Sequence, residues 1–172
     1  SFNSNYNINF FPLPEPQIFG SATRVMSLRD GSKKMSKSEL SEFSRITFKD
    51  NKDIISQKIK KSKTDTFPIP DKVEELNDRL EAKNLIGIYS ALSDKSIKNV
   101  LQEFSGKGFS EFKPKLTDLA VTVLEPINNE MSYLSKNTDY IDEILKKGSE
   151  KATLIAEKVL SEIKEIIGFI NK

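Results

Sequence analysis

The chain has no cysteine and no histidine among its 172 residues, and each absence closes a class of chemistry. Without thiols there is neither a disulfide nor a thiolate metal site. Without imidazole there is no histidine base and no member of the commonest zinc-ligand type. Triad hydrolases and zinc enzymes are thereby set aside. Long apolar runs are missing too: none reaches the ~20 residues that a membrane-spanning helix needs, and the first residues lack the basic and apolar regions of a signal peptide. A soluble, cytoplasmic protein with no membrane partner is the expectation. The net charge of +2 is too small to announce a nucleic-acid binder by itself.

The charge that is present is unevenly placed. Through Lys63 there are 12 basic and 6 acidic residues, whereas from Thr64 onward 15 basic residues face 19 acidic ones. The basic excess lies at Lys33, Lys34 and Lys37 and again at Lys58, Lys60, Lys61 and Lys63. An anion would be drawn to such places, although a lysine run is more often only a solvated helix face. An apolar content of 37% suffices for one ordinary core, with room for part of a second domain.

Pro12, Pro14 and Pro16 lack backbone donors, so the first twenty residues read as an extended loop rather than regular helix or central strand. Within Ala22 to Leu28, the stretch Arg24-Val25-Met26-Ser27-Leu28 reads as one isolated strand ending at the turn signal Asp30-Gly31. Beyond Ser36 the periods become helical. Ser36 with Glu39 resembles a capping box, and Asp50 with Asp53 marks the start of a helix on which Ile55 and Ile59 share a face. Val73, Leu76 and Leu80 form a stripe, then Leu85, Tyr89 and Leu92. Ile97, Val100, Leu101 and Phe104 give an i, i+3, i+4, i+7 face closed by Gly106. A longer helix is expected from Ser110 past Met131, with Phe112, Leu116, Leu119, Val123 and Ile127 inward, Pro114 in its first turn and a kink at Pro126. Tyr140, Ile141, Ile144 and Leu145 line a helix that Gly148 ends. Ala152, Ile155, Val159, Ile163, Ile166 and Ile170 line the last. The fold expected is mainly α, a helical bundle whose stripes form its core.

The segment from Arg24 to Ser38 carries the chemistry. It puts three ammonium groups and several hydroxyls on a loop that leads into an expected helix N-terminus, whose free donors favour phosphate. Taken alone, Lys34-Met35-Ser36-Lys37-Ser38 is a moderate signal. In context it resembles the KMSKS signature loop of class I aminoacyl-tRNA synthetases, and the tryptophanyl family most of all, which shares the lead-in Ala22-Thr23-Arg24-Val25-Met26-Ser27-Leu28. Downstream, Asn84-Leu85-Ile86-Gly87-Ile88-Tyr89-Ser90-Ala91-Leu92-Ser93, Gly106-Lys107-Gly108-Phe109 and Phe112-Lys113 are similar to the bacterial tryptophanyl family in order and approximate spacing. Glu39-Leu40 departs from the Asp-Pro common there and puts the loop's hinge in question.

The resemblance implies that residues 1–45 are the C-terminal remnant of a Rossmann-like α/β catalytic domain, comprising one strand and the KMSKS loop. It implies that 46–172 are an α-helical, anticodon-binding region. It implies ATP and Mg²⁺ as cofactors, L-tryptophan and tRNA(Trp) as partners, and a homodimer in the complete enzyme. Lys34 and Lys37 would hold the β- and γ-phosphates, Ser36 and Ser38 would add hydrogen bonds, and Val25 and Met35 would lie near the adenine. The family's histidine-bearing signature and amino-acid pocket are missing from these residues, so the chain alone is expected to be inactive. A non-catalytic helical module that binds RNA or protein, and the related tyrosyl family, stand as alternatives.

Overall fold

The computed structural model describes residues 1–18, 20 and 23–169. Ala22 of the lead-in and Ile170 of the last stripe lie outside these. The described chain is mainly helical: α1 (Phe2–Tyr6), α2 (Lys52–Lys60), α3 (Leu80–Ser93), α4 (Ile97–Phe104), α5 (Phe109–Lys136) and α6 (Thr138–Ile167), with 3₁₀ turns at Glu42–Ser44 and Val73–Leu76. None of the described helices is long and apolar enough to cross a membrane. The chain divides into two compact units, Ile18–Tyr133 and Ser1–Gln17 with Leu134–Lys172.

In the larger unit most of the helical stripes form a core, although Val73 and Leu80 of the stripe they share with Leu76 are exposed. Ile55 and Ile59 of α2, Leu85, Ile86 and Tyr89 of α3, Val100, Leu101 and Phe104 of α4, and Phe112 and Leu116 of α5 are buried together. Tyr89, Phe104 and Phe112 meet as a ring cluster. The Phe104 and Phe112 centroids lie 4.9 Å apart, nearly edge to face, where ring quadrupoles attract. Asn51, rather than Asp50, caps α2, its side chain accepting from the Ile54 amide at 3.0 Å. Ser96 caps α4 in the same way through Asn99. Gly106 has φ +75°, and its amide donates to the Ile69 carbonyl at 2.9 Å while Ile69 donates to Lys107. A side chain is strained at that φ, so the sharp exit from α4 needs glycine.

Several expectations change here. The strand at Arg24–Leu28 contracts to one antiparallel bridge, Met26 with Lys34, with no partner strand among the described residues to extend it. No helix begins at Ser36. Its hydroxyl contacts that of Ser38 at 2.9 Å and accepts from the Ser38 amide at 3.3 Å, closing a local turn that competes with helix initiation. The phosphate-binding helix N-terminus expected after the loop is therefore not there. Burial along α5 stops at Ala120, leaving Val123 and Ile127 exposed, and the helix continues through both Pro114 and Pro126 to Lys136.

The smaller unit opens with α1 where a loop was expected. The three prolines restrict only their own surroundings, so Phe2–Tyr6 is free to coil. Asn7 ends it at φ 50°. Asn3 then ties the returning chain, accepting from the Phe11 amide at 3.0 Å and donating to the Phe11 carbonyl at 2.7 Å. Gly148 does not end a helix: α6 runs through it to a left-handed cap at Gly168. A lone glycine costs a helix only ~1 kcal/mol, less than thirty residues of continuous hydrogen bonding supply. None of the described α6 residues is buried, so the stripes expected along it form no core within this unit.

Candidate functional site

The KMSKS segment is held by its own short hairpin. Asp30 starts the turn, its carboxylate accepting from the Ser32 hydroxyl at 2.6 Å and the Ser32 amide at 3.1 Å, bonds that hold its pKa below the ordinary 3.8. The Lys33 amide closes the turn on the Asp30 carbonyl at 3.1 Å. Two backbone bonds then zip the arms together, Ser27 N–H to Lys33 C=O at 2.8 Å and Met35 N–H to Val25 C=O at 3.0 Å. Leu28 anchors the hairpin in the core. Its amide donates to Ser44, its carbonyl accepts from Lys63, and its side chain is buried.

This hairpin forms one wall of a cleft of about 730 Å³. Val25, Lys34, Met35, Ser36 and Lys37 all line it, so five of the six residues singled out in the loop come together. Ser38 does not reach the lining and acts on Ser36 instead. Arg45 to Lys49 and Met131 of α5 complete the lining, with Thr23 and Arg24. Arg24, Lys34, Lys37, Arg45 and Lys49 give the lining five cations and no carboxylate. None of the five belongs to any ion pair found among the described residues. A volume of this size suits a small molecule, and unpaired positive charge with apolar edges at Val25, Met35 and Phe48 suits one with an anionic end and a flat apolar end. A second cavity of about 200 Å³ lies behind it against Leu28, Ile88, Leu92 and Leu116. Its lining is almost wholly apolar, so it offers an anion nothing.

Arg24, Arg45 and Lys49 were not singled out in the sequence. Arg24 belongs to the lead-in Ala22 to Leu28, where its charge alone is a signal. Arg45 reaches the cleft only because the chain bends, its guanidinium donating to the Glu39 carbonyl at 2.8 Å, and no periodicity reports such a bend. The second basic run fares differently. Lys58 is buried against Asp50, Lys61 stands 4.3 Å over the Phe43 ring, and Lys63 pairs with Glu81 at 2.8 Å, which raises the lysine's pKa. Of the four, Lys60 alone carries an exposed side chain with no ion pair or ring contact recorded among the described residues.

A cationic, carboxylate-free cleft built on a KMSKS hairpin narrows the comparison with known proteins. Residues 1–125 match the family described as tRNA synthetases class I (W and Y). The chain belongs to that family. Curated relatives carry the name tryptophan–tRNA ligase. That of Agrobacterium fabrum is 56% identical over 162 residues, which are 94% of this chain and 46% of the relative. That of Caulobacter vibrioides is 49% identical over 98% of this chain and 49% of its own length. Among solved structures, tryptophanyl-tRNA synthetase from Mycoplasma pneumoniae matches with a TM-score of 0.71 at 25% identity, covering 88% of this chain and 47% of that one. The chain thus spans about half the length of the curated relatives it matches.

Proposed function

We propose that this chain is the part of a tryptophan–tRNA ligase that grips the ATP phosphates and supplies its helical tRNA-binding region. The complete enzyme would activate L-tryptophan with ATP to tryptophanyl-adenylate and transfer it to tRNA(Trp). The observation that carries the reading is the cleft at Lys34–Lys37, with five cations in its lining that form no ion pair among the described residues, and no carboxylate. The relatives' common name supports tryptophan over tyrosine as the amino acid. A non-catalytic helical module that binds RNA or protein would account for the helices but not for the lysine–serine hairpin that builds the cleft. On this reading residues 1–45 belong to the catalytic part and 46–172 to the RNA-binding part.

In adenylation, the tryptophan carboxylate attacks the α-phosphorus in line and pyrophosphate departs with the bonding electron pair. Such chemistry depends on positioning and on stabilising developing charge, so lysines suffice without an acid–base residue. Lys34 and Lys37 would hold the β- and γ-phosphates, and Arg24, Arg45 and Lys49 would add to the field. Ser36 would donate a hydrogen bond, with Ser38 fixing its rotor. Val25 and Met35 would offer apolar edges to the adenine. Mg²⁺ supplies further charge neutralisation when it accompanies ATP. The described lining holds no carboxylate, and no group of three or more metal-ligating side chains occurs among the described residues. Tryptophan-dependent exchange of labelled pyrophosphate into ATP tests the proposal. The complete protein should catalyse it and this chain alone should not; equal rates would place the whole active site within these residues.

A further inference from the structure

Met26 has a partner on each side, and they are of different kinds. Toward Lys34 the bridge is antiparallel, yet its two bonds are made by neighbouring residues, Ser27 to Lys33 and Met35 to Val25. This is the non-hydrogen-bonded site of an antiparallel pair, where the central residue's amide and carbonyl point away from the partner strand. In a sheet, a third strand would meet them. Here the side chain of Asn84, buried on α3, does so. Its Oδ1 accepts from Met26 N–H at 2.9 Å, and its Nδ2 donates to Met26 C=O at 2.9 Å and to Ser27 C=O at 3.4 Å. A carboxamide presents the acceptor and donor of a peptide unit, which neither Asp nor Leu can do. One turn earlier on the same helix the hairpin touches again. A Cβ on Gly31 would stand 2.7 Å from the Glu81 nitrogen and 2.7 Å from the Leu80 carbonyl carbon, so that turn lies backbone on backbone against the start of α3.

We propose that Asn84 is a positioning residue for adenylation. It replaces the missing strand beside Met26 and, through the Met26–Lys34 bridge, fixes the backbone from which Lys34 to Ser38 reach the phosphates. Asn84 itself lies outside the cleft lining. The proposal rests on the ligase reading above. Because misplacing reacting groups by about 1 Å can cost on the order of 100-fold in rate, the expected effect is large for a side chain that touches no substrate.

The test uses Asn84→Ala and Asn84→Asp in the complete ligase that carries this chain, with Ser96→Ala, which removes only the α4 cap, as a comparison of similar stability loss. Tryptophan-dependent pyrophosphate exchange should fall about 10- to 100-fold in both Asn84 variants. KM for ATP should rise while KM for tryptophan stays unchanged, and Ser96→Ala should move neither KM. In parallel, hydrogen exchange at the Met26 and Met35 amides should quicken in Asn84→Ala, with the α4 amides unchanged. Faster amide exchange with full activity and unaltered KM for ATP would overturn the positioning role and leave the ligase reading intact. A fall in activity with no shift in KM for ATP would reduce Asn84 to a stability residue and overturn it as well. No exchange activity in the unmutated protein would overturn the ligase reading and the positioning role with it, while the amide measurement still decides whether Asn84 clamps Met26.

Discussion

The ammonium of Lys58 meets the carboxylate of Asp50 at 2.6 Å inside the protein, with side chains 5% and 11% exposed. The same carboxylate oxygen accepts from the Thr47 amide at 2.9 Å, so the pair joins α2 to the loop whose residues Arg45 to Lys49 line the cleft. Removing one partner strands a buried charge. Lys58→Ala should therefore cost about 3–5 kcal/mol, read as a lowered urea midpoint, whereas Lys60→Ala on the exposed side should stay within about 0.5 kcal/mol. Equal, small shifts would mean that Lys58 is solvated like its neighbours.

Gly31→Ala is predicted to be among the costlier glycine substitutions. Its new methyl would press on the backbone of Leu80 and Glu81, which cannot swing aside as a flexible side chain would. Overpacking of this kind costs about 1–3 kcal/mol. At Gly87, by contrast, an added Cβ meets nothing within 4 Å, so Gly87→Ala should stabilise α3 by roughly 0.5–1 kcal/mol. Thermal unfolding of the two variants should shift in opposite directions; a fall for both would contradict the open space at Gly87.

These contrasts bear on what could be seen in advance. The faces of α2, α3, α4 and early α5 were legible because burial follows a 3.6-residue period, and residues such as Ile59, Leu85, Val100 and Phe112 obey it. The loop residues were legible because Lys34 to Ser38 are contiguous. Asn84 was not, since its role is set by Met26, 58 residues earlier, and a polar residue on an apolar helix face does not announce its partner. Lys58 was hidden for the same reason: sequence places it among four lysines that could draw an anion or merely face solvent, and only the fold turns it inward to Asp50. Ser36 and Gly148 failed differently. A local signal, a capping box in one case and a stop in the other, lost to a turn closed by Ser38 and to a long continuous helix.

Acid should weaken the protein in part through Asp65. Arg79 grips its carboxylate with two bonds, Nε to Oδ2 at 2.8 Å and Nη2 to Oδ1 at 2.6 Å, and spends further donors on the Phe67 and Pro68 carbonyls. The arginine bonds hold the Asp65 pKa below its ordinary 3.8. Lys63 lowers that of Glu81 similarly. A carboxylate depressed on folding contributes stability that is complete above its unfolded pKa and is lost as pH falls through the folded one. Asp65→Asn should thus cost about 1–2 kcal/mol at neutral pH, allowing for partial solvent screening. The cost should vanish once the pH lies below the depressed value. Urea midpoints measured across that range check the sign; a penalty that persists in strong acid would point to packing rather than charge.

The lysines of the cleft give the most direct test of its chemistry. Lys34 and Lys37 both line it and take part in no ion pair among the described residues, so neither ammonium is needed for the fold as Lys58 is. Their removal should leave stability within about 0.5 kcal/mol. Lys33 differs although it is adjacent in sequence: its ammonium lies 3.5 Å from Asp30, and it does not line the cleft. On the ligase reading proposed above, Lys37→Ala in the complete protein should lower the rate of tryptophan-dependent pyrophosphate exchange on the order of 100-fold, about 3 kcal/mol of transition-state stabilisation, with KM for tryptophan unmoved. Lys34→Ala should behave alike, and Lys33→Ala should stay within a few-fold. On that reading the lost interaction is with charge that builds on phosphate oxygens, so Lys37→Arg should recover part of the rate and Lys37→Met none. If Lys37→Met matches the unmutated enzyme, phosphate is not what this cleft holds.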